Sequence, residues 1–319
     1  MHIQIVGLHA PHAPRLRALL GPGHEVEAMQ AFPATGDIRA DVVIGNSITA
    51  DEAKRLQCRL VHVPGAGWEQ IACDALPTGT TVCNVHGHEV PIAEFTLHAI
   101  LEHHLQLWKY PARLDAEAWA EAYAARTQHD EACGKTLAIV GFGHIGQEIA
   151  RRARAFGMHV VAVTRSGKAG SPELADEFVP VSKLNEVLGR TQALVLCCPL
   201  DDGTRGLIGA EQLARLPERF LLVNVARAEV VQEQALYEAL RDRPDTRAVL
   251  DVWYQYPKKG QPPVDPSRWP LHTLPNVRAT PHISAITPAL LDRRYRFMAD
   301  NIVRLQLGEP LLNVIRPAA

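Results

Sequence analysis

The chain has 319 residues, about twice the length of an ordinary domain, so two compact units are expected. Apolar residues make up 47% of it and charged residues 21%, which excludes a disordered or fibrous chain. A formal net charge of -2 without a Lys/Arg block excludes a surface built to hold nucleic acid phosphates, and small-molecule chemistry is the better expectation.

The segment from Met1 to Gly7 alternates like a short strand, with neither a basic leader nor a long apolar run. No segment approaches the ~18 apolar residues of a membrane span, so a cytoplasmic protein without membrane contact is expected. Short apolar strands follow at Ile3 to Val6, Val42 to Gly45, Leu60 to Val63 and Thr81 to Asn84, separated by helical or turn segments, as in a small parallel-sheet domain. The spacing of Phe95, Leu97, Ile100, Leu101, Leu105 and Trp108 predicts a helix from Glu94 to Trp108 that carries the chain into a second domain, limited by Pro111.

An Ala-rich helix is predicted from Asp115 to Ala125. Near-continuously apolar strands then recur at Thr136 to Val140, Val160 to Val163, Ala193 to Cys198, Phe220 to Val225, Ala248 to Val252 and Val277 to Thr280, the pattern of a sheet covered on both faces. Lys258 to Pro270 reads as a long Pro-rich loop, and Pro288 to Leu307 as a last helix that returns to the first domain. The six cysteines have no C-x-x-C spacing, and the adjacent Cys197 and Cys198 read as small buried apolar residues in a reducing compartment.

Gly141-Phe142-Gly143-His144-Ile145-Gly146 lies directly between the strand Thr136 to Val140 and a helix predicted from Gln147 to Phe156. In that setting Gly141 permits the tight turn and Gly143 lets the backbone approach a pyrophosphate. Gly146 lets helix pack on strand, and the helix N-terminus attracts phosphate. An NAD site usually places an acid at the end of the next strand to take the ribose hydroxyls. Here Thr164 holds that place, and Arg165, Ser166 and Lys168 are suited to a 2′-phosphate, so NADP is favoured over NAD.

Two side chains stand out at the carboxyl edge of the predicted sheet. Arg227 follows the strand Phe220 to Val225, and a guanidinium there can fork onto a carboxylate. His282 follows Val277 to Thr280, and imidazole is suited to proton exchange near neutrality. His103 and His104 are neighbours expected to point apart on a helix, and His98 and Glu102 share a face without a further ligand, so no metal site is expected.

At these residues the sequence resembles the D-isomer-specific 2-hydroxyacid dehydrogenases. The resemblance runs through Val63-Pro64-Gly65-Ala66-Gly67, Ile92-Ala93-Glu94, Gly134-Lys135-Thr136, Pro199, Asn224-Val225-Ala226-Arg227 and Thr280-Pro281-His282. It implies an α/β architecture of two Rossmann-like doubly wound parallel-sheet domains with an active-site cleft between them. A discontinuous, flavodoxin-like substrate-binding domain is expected over 1–97 and 289–319, and a dinucleotide-binding domain over 98–288. The implied reaction moves a hydride between NAD(P)H and the 2-position of a small 2-oxo or 2-hydroxy acid. In it Arg227 holds the substrate's carboxylate and carbonyl oxygen, and His282 is the acid/base. Gly65, Ala66 and Gly67 offer backbone amides to the carboxylate. Apart from the resemblance, His86 and His88 flank Gly87, a loop position that either lines the substrate end of the cleft or leaves both as solvated loop residues. Cofactor contacts are implied at His144, Ile145, Pro199, Thr204, Val225, Ala226 and His282, with Asp251 near the nicotinamide amide. A homodimer is implied as well, and no regulatory domain is expected after the helix ending near Leu307.

The family pattern has a glutamate that orients the histidine, where this chain has Tyr256 within Asp251-Val252-Trp253-Tyr254-Gln255-Tyr256-Pro257. Formate dehydrogenases of the superfamily share an Asp-Val-Trp run, but their formate-binding asparagine is replaced by His88 here, so formate is disfavoured. The alternatives are a formate dehydrogenase-like enzyme and a cofactor-sensing, corepressor-like binding protein of the same fold, against the second of which the presence of Arg227 and His282 counts.

Overall fold

The computed structural model describes residues 1–110, 113–168, 170–257 and 261–318. The chain divides into two units, one of Met1–Gly87 with Thr287–Ala319 and the other of His88–Ile286. In chain order the first unit holds β1 (His2–Val6), α1 (Ala13–Leu20), β2 (Glu25–Met29), β3 (Ile38–Arg39), β4 (Val42–Ile44), α2 (Ala50–Arg55), β5 (Leu56–Gln57), β6 (Leu60–His62) and β7 (Thr81–Cys83). The second opens with α3 (Glu89–Leu105) and α4 (Ala116–Ala125), then β8 (Thr136–Val140), α5 (His144–Ala155), β9 (His159–Thr164) and β10 (Glu177–Pro180). It continues with α6 (Leu184–Leu188), β11 (Ala193–Leu196), α7 (Ala210–Arg215), β12 (Leu221–Asn224), α8 (Glu233–Asp242), β13 (Arg247–Leu250) and β14 (Val277–Ala279). α9 (Pro288–Leu307) and β15 (Val314–Arg316) belong to the first unit again.

In the first unit the sheet order is β15-β7-β6-β4-β1-β2, parallel throughout except for β15 against β7. Without β15 this is the flavodoxin-like order, in which ligands gather at the carboxyl ends of the strands. Alternate residues serve its two faces: Ile3 and Ile5 pack with Leu16 of α1 and with Tyr295, Met298 and Ile302 of α9, while Val43, Val61 and Val82 pack with Ile48 and Ala53 on the other side.

The sheet of the second unit, β10-β9-β8-β11-β12-β13-β14, is parallel throughout and reverses its order beside β8, the switch point of a dinucleotide-binding sheet. Leu137, Ile139, Val195 and Val223 face α3 and α5, whereas Val140, Leu194, Leu196 and Leu222 face α6, α7 and α8, which is why these strands read as unbroken apolar runs.

Three expectations need correction. The crossing helix starts at Glu89 and not Glu94, so the boundary falls after Gly87 rather than after residue 97. The reason is that Pro91 sits in the first turn, where no intrahelical N–H is required of it, and that Ile92, Ala93, Leu97 and Ile100 bury against the core of the second unit. The same helix stops at Leu105, where Gln106 turns left-handed (φ 51°); Pro111, expected to limit it, lies outside the described residues. Of the predicted loop Lys258 to Pro270, residues 261–270 contain no helix or strand, and Lys258 to Gly260 lie outside the described residues.

The third correction concerns His103 and His104, which do not diverge: both are buried and their rings meet edge to face with centroids 5.1 Å apart. His104 Nδ1 lies 3.1 Å from Asp130, which Lys135 also grips at 2.9 Å. Burial first, then the charges of His104, Arg219 and Arg247, push His103 down to about 3, and burial also lowers His104. An unfolded histidine takes up its proton near the ordinary value of 6.5 and folded His103 only near 3, so across that window the unfolded state binds more protons and stability falls as pH falls. Thermal melts should therefore shift down between about pH 7 and about pH 5, and His103→Leu should lose less over that range. Parallel losses in both proteins would remove His103 from the account.

Candidate active site

The turn between β8 and α5 is shaped by backbone crowding. Gly141 has φ +95°, and a Cβ there would stand 2.6 Å from the backbone N of Cys198. A Cβ on Gly146 would stand 2.3 Å from the carbonyl oxygen of Gly141, so only glycine lets α5 approach the strand so closely. By contrast a Cβ on Gly143 would meet nothing within 4 Å, leaving open space ahead of the α5 N-terminus, whose first residues are His144 and Ile145. A tight turn, a bare approach and an outward helix terminus are what a dinucleotide pyrophosphate requires, and the residues present fit it.

Beside this turn lies a cavity of about 600 Å³, walled by Gly141, by Thr164, Arg165, Ser166 and Lys168 after β9, and by Pro199, Asp201, Gly203 and Thr204 after β11. Thr164, where an acid was expected, closes its own turn by donating its hydroxyl to the carbonyl of Lys168 at 3.0 Å. Gly167 has φ +71° in that turn, and a Cβ there would stand 2.8 Å from Pro180. Thr204 spends its hydroxyl on the opposite loop, donating to the carbonyl of Pro199 at 2.7 Å and accepting from the amide of Asp201 at 2.8 Å. Arg165 meets Asp201 across the cavity at 2.8 Å.

The other expected residues lie at the same carboxyl edge, on three neighbouring strands. β12 and β13 pair at Asn224 and Leu250, and β13 and β14 pair at Leu250 and Ala279. Arg227, Asp251 and His282 therefore follow the ends of adjacent strands. Arg227 is exposed and donates to the carbonyl of Ala226 at 2.7 Å. Its backbone is clasped by Asn224, a buried residue that accepts from the Ala226 amide at 3.0 Å and donates to the Arg227 carbonyl at 3.0 Å.

Asp251 is 1% exposed. Its carboxylate accepts from the Thr280 hydroxyl at 2.6 Å, the Ile283 amide at 2.8 Å and the Ser284 amide at 2.9 Å. Those bonds bracket His282, whose backbone is left-handed at φ 59°. Trp253 adds an indole N–H to the carbonyl of Thr280 at 2.8 Å. On the ring itself, His282 Nδ1 is 2.9 Å from the phenol oxygen of Tyr256, which accepts the Trp253 amide at 3.2 Å.

In the first unit, Gly65, Ala66 and Gly67 form the loop after β6. Its shape is held by Asn84, whose side-chain N–H donates to the Ala66 carbonyl at 2.7 Å, and by the Val85 amide on the Gly65 carbonyl at 3.1 Å. His88, the first residue of the second unit, occupies the N-cap position of α3, with its Nδ1 3.8 Å from Glu89. The sequence reading assigned nothing to Asn84, Asn224 or Asp201. Asn224 had a local signal in Asn224-Val225-Ala226-Arg227, a turn-forming side chain at a strand end. Asp201 had none, since its partner lies 36 residues away.

A family model described as D-isomer specific 2-hydroxyacid dehydrogenase, NAD binding domain, matches residues 97–284. A D-3-phosphoglycerate dehydrogenase of Methanocaldococcus jannaschii is 30% identical over 287 residues, 86% of this chain and 52% of that protein. A hydroxypyruvate reductase of Thermotoga maritima is 32% identical over 269 residues, 82% of this chain and 81% of that protein. The match thus spans about half the length of the phosphoglycerate dehydrogenase and of the archaeal glyoxylate reductases that are also similar. Among solved structures, an NADPH-dependent glyoxylate/hydroxypyruvate reductase from Sinorhizobium meliloti, in complex with NADP and sulfate, aligns with a TM-score of 0.73. It is 26% identical and covers 99% of this chain and 98% of that one. With a matching model over more than half its residues and a sheet order to suit it, the chain belongs to the D-isomer-specific 2-hydroxyacid dehydrogenases.

Proposed function

We propose that the protein is an NAD(P)-dependent reductase of small 2-oxo acids, with NADP favoured. The observation that carries the reading is the ordered imidazole of His282, bound through Nδ1 to Tyr256 and set one strand beyond Asp251 and two beyond Arg227. The glycine turn at 141–146 and the cavity beside it take the dinucleotide, with Arg165, Ser166 and Lys168 available to a 2′-phosphate. Pro199, Thr204, Val225 and Ala226 complete the cofactor's surroundings, and the NADP bound to the Sinorhizobium relative supports that choice. When bound, the nicotinamide supplies the hydride taken up by the substrate's C2.

The remaining work falls to this chain's own groups. Arg227 engages the carboxylate and polarises the 2-oxo group with a charge-assisted fork. His282, with Nδ1 occupied by Tyr256, presents Nε2 and gives its proton to the nascent alkoxide. Asn224 and Asp251 hold the backbones from which these side chains project. The Gly65, Ala66 and Gly67 amides and His88 are assigned to the substrate, Asp251 to the neighbourhood of the nicotinamide amide. A cytoplasmic homodimer completes the reading, and no helix among the described residues is long and apolar enough to cross a membrane.

Oxidation of NADPH with a panel of glyoxylate, hydroxypyruvate and phenylpyruvate tests this reading, with Arg227→Ala as the paired variant. Turnover with at least one of them is expected, NADPH being preferred to NADH, and Arg227→Ala should lower kcat/KM by about 10²-fold or more while nucleotide binding persists. Nucleotide binding without turnover would instead favour the cofactor-sensing alternative, to which the missing glutamate lends its one support.

Tyr256 gives a second test. A carboxylate beside Nδ1 stabilises imidazolium, whereas a phenol offers only a dipole. Tyr256→Glu should therefore carry the alkaline fall of kcat/KM for reduction to higher pH, and Tyr256→Phe should lower the rate modestly without moving the profile much. A Tyr256→Glu profile that overlays that of the unmodified protein would mean that the phenol does not serve His282 in the working enzyme.

A further inference from the structure

The cavity beside the glycine turn has cations on one wall and a single carboxylate on the other. Arg165 and Lys168 come from the turn after β9; of the described residues that line the cavity, Asp201 is the one acid. That carboxylate is fixed independently of Arg165. Its Oδ1 accepts the Gly203 amide at 2.9 Å and lies 3.2 Å from the Thr204 hydroxyl, which also anchors the Asp201 amide and the Pro199 carbonyl. The other oxygen, Oδ2, is left to reach Arg165 at 2.8 Å. Asp202, the next residue, carries the same charge but does not line the cavity.

From this we infer that Asp201 is a cofactor-selectivity residue that opposes Arg165. The inference rests on the reading of the cavity as the seat of the cofactor's adenosine end. The acid that ordinarily takes the ribose hydroxyls is absent at Thr164, and Asp201 supplies a carboxylate from the facing loop instead. Toward a ribose bearing two free hydroxyls, that oxygen is an acceptor, and the pair with Arg165 stays closed. Toward a 2′-phosphate it acts twice in the opposite direction: it occupies the guanidinium that the phosphate needs, and it stands as a like charge beside it. The pair is an exposed one, with 85% of the Arg165 side chain accessible, so a phosphate can displace Asp201 at modest cost, and preference for NADPH is reduced rather than abolished.

The test is direct binding of NADPH and NADH to the full chain, read by nucleotide fluorescence or calorimetry without substrate. Asp201→Asn keeps an oxygen for the Gly203 amide, so the loop can close, and Asp201→Ser is a second variant that retains a smaller acceptor. In both, Kd for NADPH should fall about three- to tenfold at low salt while Kd for NADH does not fall, and the gain should shrink as ionic strength rises. Asp202→Asn should leave the ratio of the two constants within about twofold, because general charge alone does not set it. An unchanged ratio in both Asp201 variants, or an equal shift in Asp202→Asn, would overturn the inference. If the unmodified protein prefers NADPH and the ratio does not move, the proposed function stands and Asp201 falls; if neither nucleotide binds, both fall.

Discussion

One buried carboxylate organises the carboxyl edge of the second unit's sheet around His282. Asp251, just beyond β13, accepts the Thr280 hydroxyl and the amides of Ile283 and Ser284, and so encloses the residue between them. Left-handed backbone is uncommon in residues other than glycine, histidine tolerating it better than most, and at His282 it persists because surrounding bonds over-determine it. A carboxylate at 1% exposure without such donors would be expensive, and these amides without the carboxylate would have no place in a segment so tightly turned. Each side of the arrangement thus requires the other, and the imidazole is aimed as a consequence.

Tyr256 enters this frame as a different kind of partner from a carboxylate. Its oxygen has two acceptor sites and one proton. With the Trp253 amide on one site, it can accept from Nδ1–H of an imidazolium or donate to Nδ1 of a neutral ring. A carboxylate would enforce Nδ1–H and stabilise the charged ring; the phenol fixes the ring's orientation without favouring either form by charge. The same economy recurs in the cavity beside the glycine turn, where Thr164 and Thr204 use their hydroxyls to close their own loops and leave Arg165 and Asp201 paired across it.

How much of this was legible in the sequence follows from the range of the interactions. The β8 turn was read correctly as a glycine-dependent close approach because its constraints are local: the Cβ of Gly146 would strike Gly141, five residues away. Likewise α9 was found where it was expected, Pro288–Leu307, with proline in its first turn and glycine just after it. β2 and β10 were missed, since both lie at sheet edges and carry polar residues that break the apolar run. Periodicity also placed the start of α3 too late, because its first turn is buried by packing on α5 that no local pattern records. The Asp251 net joins residues 29 to 33 positions apart and the Arg165–Asp201 pair joins residues 36 apart, and such contacts become visible only when the sheet brings strand ends together.

The role given to Asp251 is open to a direct measurement, hydrogen exchange of the amides of Ile283 and Ser284 in the unmodified protein and in Asp251→Ala. The account predicts that these two amides are protected in the first and exchange rapidly in the second, while amides paired within β11, β12 and β13 keep their protection in both. If Ile283 and Ser284 remain protected in Asp251→Ala, the segment that carries His282 is held by something other than that carboxylate, and the account of how this site is built is wrong.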